Sequence, residues 1–283
     1  MVIQVENLTF IYRSPFSPSR QALSGISMKI ESNEIIAIVG ATGSGKTTLI
    51  QHFNGLLRPT FGKIWIDSKD MADSKFNLNE LRRRVGLVFQ FPEIQLFEET
   101  VFDDIAFAPR NLKLTESQIE ERVHQSFKLV DLDYQLFRDR SPFHLSGGEK
   151  RRVAIAGVLA MDPEILVMDE PTVSLDLHAS MMIKEVIVQY HRMGRVVIFI
   201  SHDMDLIADL AQRIVVLEKG KLIFDGPKEK LFLDSALLKR TGLILPKVCQ
   251  FMEKVKQKGY SVRTDVFTVE EAKKELKKVL KIV

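Results

Sequence analysis

The chain has 283 residues, of which 45% are apolar and 27% charged, with a net charge of +3. That is an ordinary globular composition, long enough to bury a sizeable core, which excludes a disordered chain; so small a positive excess does not argue for nucleic acid, which a strongly basic domain or face would. The single cysteine, Cys249, excludes an internal disulfide and a cysteine-based metal cluster, and no apolar run approaches the roughly 18 residues of a membrane span.

The opening Met1-Val2-Ile3-Gln4-Val5-Glu6 lacks the basic and apolar regions of a signal peptide, so a cytoplasmic chain is expected, with any membrane attachment through another protein. Val2 to Phe10 alternates like a strand, and Leu23 to Ile30 does so again after a loop rich in Ser, Pro and Arg; together they predict an antiparallel entry sheet. Ile35-Ile36-Ala37-Ile38-Val39 predicts a buried strand, Gly40-Ala41-Thr42-Gly43-Ser44-Gly45-Lys46-Thr47 follows at once, and Thr47 to Phe53 continues as a helix. A second apolar strand, Val85 to Phe89, ends at Gln90 before Phe91-Pro92. From about Thr100 to Leu159 the pattern is helical, which predicts an inserted helical subdomain over about 93–160. A parallel-sheet pattern resumes with the strand Ile165 to Asp169, a helix around Ser180 to Met193, and the strand Val196 to Ile200 with Ser201-His202 at its end. Arg213 to Leu217 and Lys221 to Phe224 predict a hairpin, and Gly226-Pro227 a turn into the last short helix.

Ligands of open α/β sheets bind beyond the carboxyl ends of the strands, and Gly40, Gln90, Asp169, Glu170 and His202 all follow strand ends, so they can converge. The octapeptide from Gly40 matches G-x-x-x-x-G-K-[ST], a loop whose glycines let successive N–H groups point at phosphate oxygens while the next helix adds its positive end. Lys46 is expected on the β- and γ-phosphates of ATP and the Thr47 hydroxyl on Mg²⁺, which makes residues 40–48, through Thr48, the candidate nucleotide site. Asp169 is the expected direct or indirect Mg²⁺ partner and Glu170 the general base, unless the pair caps the segment at Pro171-Thr172. Gln90 either coordinates Mg²⁺ and senses the γ-phosphate or merely ends a strand, and His202 either holds the γ-phosphate and the attacking water or is structural.

Between these two halves lies Leu145-Ser146-Gly147-Gly148-Glu149, followed by a basic, apolar helix. With them it resembles the ATP-binding-cassette (ABC) ATPases over roughly the first 235 residues. The resemblance implies an α/β fold, a P-loop NTPase (RecA-like) core with an antiparallel β subdomain, the inserted helical subdomain and a C-terminal extension, so that 1–235 is the cassette and 236–283 the extension. It implies ATP and Mg²⁺ as cofactors, and a head-to-tail dimer in which Ser146, Gly147 and Gly148 close on the partner's ATP. Tyr12 resembles the adenine-stacking aromatic, with Phe10 as the alternative. Ser174-Leu175-Asp176 resembles the loop that crosses the dimer, although Val173-Ser174 stands where many relatives carry small residues such as Ala-Gly.

Gln90 to Val101, Leu145 to Ala156, and Thr241-Gly242-Leu243-Ile244-Leu245-Pro246 with the helical tail after it resemble the second ATPase type of the energy-coupling-factor (ECF) importers. That resemblance implies an ATPase that powers uptake of a vitamin or other micronutrient, bound peripherally at the cytoplasmic face of the cell membrane. Its implied partners are a related ATPase (heterodimer) or an identical one (homodimer), a transmembrane coupling protein and a substrate-capturing membrane subunit, with no nucleic acid. Phe91, Ile94, Leu96 and Phe97 would border the groove for a coupling helix or belong to the core. The extension would stabilise the dimer. The tail from Lys247 carries ten Lys or Arg against five Asp or Glu, which suits either an anionic surface or a solvated helix face, and Cys249 is expected to be packed within it. The alternatives are the ATPase of a cobalt or nickel importer and, in another class, a soluble ABC ATPase acting on ribosomes or DNA; the latter would carry two cassettes or a long coiled coil.

Overall fold

The computed structural model describes residues 2–280; of the segments read above, only Met1 and residues 281–283 of the basic tail lie outside them. Two long strands, β1 (Ile3–Ser14) and β2 (Ser17–Ile30), pair antiparallel from Ile3↔Ile30 to Ser14↔Ser17. The Ser-, Pro- and Arg-rich stretch expected as a loop is therefore hairpin. Its arms, paired through Ile11↔Gln21 and Tyr12↔Arg20, bury no face and so carry no alternation to betray them.

The chain continues through β3 (Ile35–Val39), α1 (Lys46–Phe53), β4 (Phe61–Ile66), β5 (Lys69–Asp70), α2 (Leu78–Arg84) and β6 (Val85–Val88). Four helices follow, α3 (Val101–Asn111), α4 (Glu116–Leu129), α5 (Tyr134–Phe137) and α6 (Gly147–Leu159), each begun by a side chain that accepts from the first free N–H groups: Thr100, Thr115, Asp133 and Ser146. Then come β7 (Ile165–Asp169), α7 (Leu177–Arg192), β8 (Val196–Ile200), α8 (Met204–Leu210), β9 (Arg213–Glu218) and β10 (Lys221–Pro227). The last helices are α9 (Lys228–Leu233), α10 (Ser235–Thr241), α11 (Lys247–Gln257) and α12 (Val269–Leu280). Gly226-Pro227, expected as a turn, continues β10 opposite Ile214 and Arg213. An edge strand can end on a proline because no second neighbour needs its missing N–H.

The strands form two sheets, one ordered β2-β1-β4-β5 and one ordered β10-β9-β3-β8-β7-β6. In the second, β9, β3, β8, β7 and β6 run parallel. Successive side chains leave a strand on opposite faces, so a run apolar at every position serves two cores at once. Ile35, Ala37 and Val39 of β3 join Leu166 and Met168 of β7 in a core shared with α3, α4, α6, α7 and α8. Ile36 and Ile38 join Ile165 and Val167 in a second core shared with α1 and the antiparallel sheet. The tail is not a separate body: Leu238, Cys249 and Phe267 belong to the first core, and Phe267 lies against Phe232 with ring centroids 5.4 Å apart. The Cys249 thiol donates to Val266 O at 3.1 Å, and burial pushes its pKa up to about 11, so it is packed and unreactive.

The register sets the functional edge. Ile38 stands beside Ile200, Ile200 beside Asp169, and Met168 beside Val88. The residues that follow, Gly40, Gln90, Glu170 and His202, therefore leave the sheet along one line.

Candidate nucleotide site

The loop after β3 approaches other backbone so closely that side chains are excluded. A Cβ on Gly40 (φ +145°) would lie 2.1 Å from Leu217 O, and one on Gly45 (φ +105°) 2.7 Å from Ala22 O. Gly45 sits in the left-handed region immediately before α1, so the helix starts at Lys46 with its free N–H groups facing the loop. Lys46 is folded over that loop: its ammonium donates to Gly40 O at 2.7 Å and Ala41 O at 3.1 Å. Burial lowers its pKa, and the charges of Glu170 and Asp169 pull it back up. The hydroxyl of Ser44 is buried without a partner, a vacant polar contact inside the loop.

Opposite stands the end of β7. The Thr47 hydroxyl donates to Asp169 Oδ2 at 2.7 Å. Burial raises the Asp169 pKa, and the Thr47 hydrogen bond, then the Lys46 charge, oppose it. Glu170 follows in the left-handed region (φ +48°), a conformation rare for a residue with a Cβ, held by its N–H bond to Ile200 O at 3.1 Å. Its side chain is 6% exposed, and burial raises its pKa against the pull of His202 and Lys46. His202 Nε2 lies 3.0 Å from Glu170 Oε1, the separation of an ion pair but off the line of a hydrogen bond, so this buried oxygen keeps an open lone pair. A carboxylate in such a place accepts a proton from a water lying beside it more readily than a solvated one would.

A cleft of about 400 Å³ runs between these groups. Of the residues singled out from the sequence, Tyr12, Thr42, Gly43, Gly45, Lys46, Thr47, Thr48, Gln90, Asp169, Glu170 and His202 line it. Gly40, Ala41 and Ser44 lie behind its wall and act through backbone and packing. Tyr12 is exposed at the mouth, its hydroxyl 3.1 Å from Thr48 Oγ1. Phe10 is instead packed edge-on between Tyr12 and His52, which removes it as a platform for a base. Ser146, Gly147 and Gly148 are not in the cleft; Ser146 and Gly148 line another hollow with Glu149, Arg152, Asp176 and His178. The Ser146 hydroxyl is engaged, donating to Glu149 Oε2 at 2.7 Å while accepting from Glu149 N–H in a capping box. Phe91, Ile94 and Phe97 are exposed, whereas Leu96 packs on the core.

Two lining residues had no sequence signal, Arg20 and Ala22, whereas Val173, which also lines the cleft, is marked in the sequence beside the dimer-crossing loop. Nor did the sequence mark Arg151, a residue 3% exposed whose guanidinium donates to the carbonyls of Val173 (3.0 Å), Gln90 (3.1 Å) and Glu170 (3.1 Å). One side chain of α6 thus ties together the two loops, after β6 and after β7, that carry the cleft's far wall.

Among the described residues no group of three or more His, Cys, Asp or Glu is placed to hold a metal by itself. The available donors, the Thr47 hydroxyl, the Asp169 carboxylate and the exposed Gln90 amide, are all oxygen ligands and too few for a cage. That donor set fits Mg²⁺, which keeps waters and takes its other ligands from a substrate phosphate.

The family model described as "ABC transporter" matches residues 23–173. A Clostridium tetani protein named energy-coupling factor transporter ATP-binding protein EcfA2 is 46% identical over 280 residues, 99% of this chain and 97% of that one. A Clostridioides difficile protein of the same name is 47% identical over 283 residues, 99% and 98% of the two chains. Among solved structures, cbiO1 from Clostridium perfringens, part of the ABC transporter complex cbiONQ, superposes with a TM-score of 0.73 at 36% identity, covering 89% of this chain and 98% of that one. A dimeric ATP-binding cassette in a post-hydrolysis state with ADP and Pi superposes at 0.68 with 26% identity, over 80% and 98%. With near-full-length relatives of one kind and the cassette fold in common, this chain belongs to the ABC transporter ATPases and, within them, to the energy-coupling factor transporter ATP-binding proteins.

Proposed function

We propose that the chain is the ATP-hydrolysing subunit of an ECF-type importer and that the cleft between the phosphate loop and Glu170 is where ATP is cleaved. The observation that carries this reading is the open, buried Oε1 of Glu170 facing the same cleft as Lys46 and the Thr47–Asp169 pair. ATP lies with its phosphates in the loop of residues 40–48, its β- and γ-oxygens on Lys46, and its base against Tyr12. Thr47, Asp169 and Gln90 hold Mg²⁺, which supplies neutralisation of phosphate charge. Glu170 accepts a proton from the attacking water, whose oxygen bonds to the γ-phosphorus as the bond to the bridging oxygen breaks; His202 orients the water and the γ-phosphate.

Ser146, Gly147 and Gly148 stand apart from this chain's own cleft, which supports their acting on the ATP of a second cassette packed head to tail. The partner is a related ATPase or a second copy, the exposed Phe91, Ile94 and Phe97 receive a transmembrane coupling protein, and a further membrane subunit captures the substrate. No described helix is long and apolar enough to cross a membrane, in keeping with attachment at the cytoplasmic face through those subunits. The sequence resemblance leaves a second reading, the ATPase of a cobalt or nickel importer, whose motifs are the same. Purification from native membranes separates the two by the membrane proteins that co-elute.

Glu170→Gln tests the chemistry. ATP binding should persist while hydrolysis slows roughly 10² to 10⁴-fold, the worth of a positioned general base. Near-normal turnover would take Glu170 out of that role.

A further inference from the structure

Arg20 stands directly across the hairpin from Tyr12, and directly opposed residues of an antiparallel pair project from the same face. It lines the cleft beside Gly43, where its Nη2 lies 3.3 Å from the position a Cβ would take. Among the described residues it has neither a hydrogen-bond nor an ion-pair partner; the guanidiniums of Arg84, Arg138 and Arg213, for comparison, are all engaged with carboxylates. An exposed, uncommitted guanidinium held at the edge of a phosphate loop is a fork of donors without an acceptor. Lys46, the other Lys or Arg among the described lining residues, is already offset by Glu170 and Asp169.

We propose that Arg20 is a nucleotide-binding residue that clamps the α- and β-phosphates of the bound nucleoside polyphosphate. The assignment rests on the nucleotide-site reading above and deepens it. The choice of phosphates follows from place. Thr47, Asp169 and Glu170 mark the end of the cleft where the γ-phosphate is cleaved, whereas Arg20 enters from the opposite arm of the hairpin, level with the base platform Tyr12. Between base and γ-phosphate lie the α- and β-groups, which ATP and ADP share. A contact present equally before and after cleavage is uniform binding: it lowers KM and leaves kcat alone. Arg20 is thus a holding residue that distinguishes di- and triphosphates from monophosphates and does not discriminate ATP from ADP.

The test is equilibrium binding of ATP and of ADP, with Mg²⁺, to the full chain as wild type, Arg20→Ala, Arg20→Lys and Lys46→Ala. Arg20→Ala should weaken ATP and ADP by the same factor, about 10- to 100-fold for one charge-assisted contact, and Arg20→Lys should recover part of it. In the assembled transporter kcat at saturating ATP should change less than about twofold while KM rises. Unchanged affinities in Arg20→Ala, with Lys46→Ala weakened, would overturn the role of Arg20 and leave the site intact. A loss for ATP but not for ADP would overturn the assignment to α and β. A wild-type chain that binds neither nucleotide would instead overturn the underlying reading of the cleft.

Discussion

Replacing Arg151 by methionine keeps the length and apolar stem of the side chain and removes its donors. Three hydrogen bonds from a charged group, at 3.0 to 3.1 Å, are lost together, a gross value of about 4 to 9 kcal/mol at 1.5 to 3 each. Against that, a buried guanidinium forgoes several kcal/mol of hydration, its Nε has no partner, and Glu93 is the one carboxylate whose charge supports it. The variant should therefore be less stable by about 2 to 4 kcal/mol, most of it the cost of leaving the carbonyls of Gln90 and Val173 unpaired, while Glu170 O keeps only the Val173 N–H at 3.3 Å. Because two of those residues carry the proposed Mg²⁺ and water contacts, turnover should fall by more than about tenfold even under conditions where the variant is folded, since displacements near 1 Å cost on that order. Urea denaturation of the nucleotide-free chain, followed by fluorescence, measures the first effect, and ATPase rates in the assembled transporter the second. A stability change under about 1 kcal/mol together with normal turnover would refute the argument that Arg151 holds these loops.

Glu170→Gln should stabilise the nucleotide-free chain at pH 7 even as it slows turnover. Its folded pKa is raised by burial, so between the ordinary value of 4.5 and the raised one the folded chain binds more protons than the unfolded chain, and stability falls as pH rises through that window; the gain should vanish below about pH 4, and an equal gain at every pH would refute the cause. Tyr12→Ala should weaken ATP by about 1 to 3 kcal/mol through lost stacking, whereas Tyr12→Phe keeps the ring and loses only the contact with Thr48; unchanged ATP affinity in Tyr12→Ala would place the base elsewhere. Truncation before Lys247 should weaken association of the ATPase pair and lower ATPase activity most at low protein concentration, with recovery on adding protein. Sedimentation that gives the same association constant for full-length and truncated chains would rule out a dimer-stabilising tail.

The central strands were legible because a strand buried on both faces leaves every position apolar, as β3, β7 and β8 do, and the phosphate loop because its backbone chemistry dictates the glycines and the lysine. The hairpin arms were not. Tyr12 and Arg20 lie on strand that buries neither face, so their register comes from backbone pairing rather than apolar periodicity. Arg151 was hidden for a different reason: it sits between Lys150 and Arg152, three cations in a row, and nothing in the composition of a helix says which of them turns inward. The structure also changes what the tail is. Its basic excess suits an anionic surface or a solvated helix face, and Lys254, Lys256 and Lys258 are indeed exposed, yet Cys249 and Phe267 also enter the same core as β3 and β7.

The state of Ser146 bears on how two cassettes would close. Its hydroxyl proton is committed to Glu149, within a capping box whose loss costs a helix about 1 kcal/mol. The bond to the Glu149 carboxylate and a bond to a γ-phosphate both run from a hydroxyl to a charged oxygen, about 1.5 to 3 kcal/mol each, so the exchange of acceptors leaves little margin either way. The Glu149 carboxylate, whose pKa the Ser146 bonds hold below the usual range, stays ionised beside the phosphate and erodes that margin further by like-charge repulsion. Closure on a partner's ATP is therefore weakly biased at each signature segment, and a weak bias is what a cycling machine requires: loss of the γ-phosphate is enough to return Ser146 to Glu149. Since Arg151 lies on the same helix and grips the loops of this chain's own cleft, any shift of α6 in the proposed head-to-tail closure would be felt at Gln90 and Glu170, which would make each cleft sensitive to the occupancy of the other.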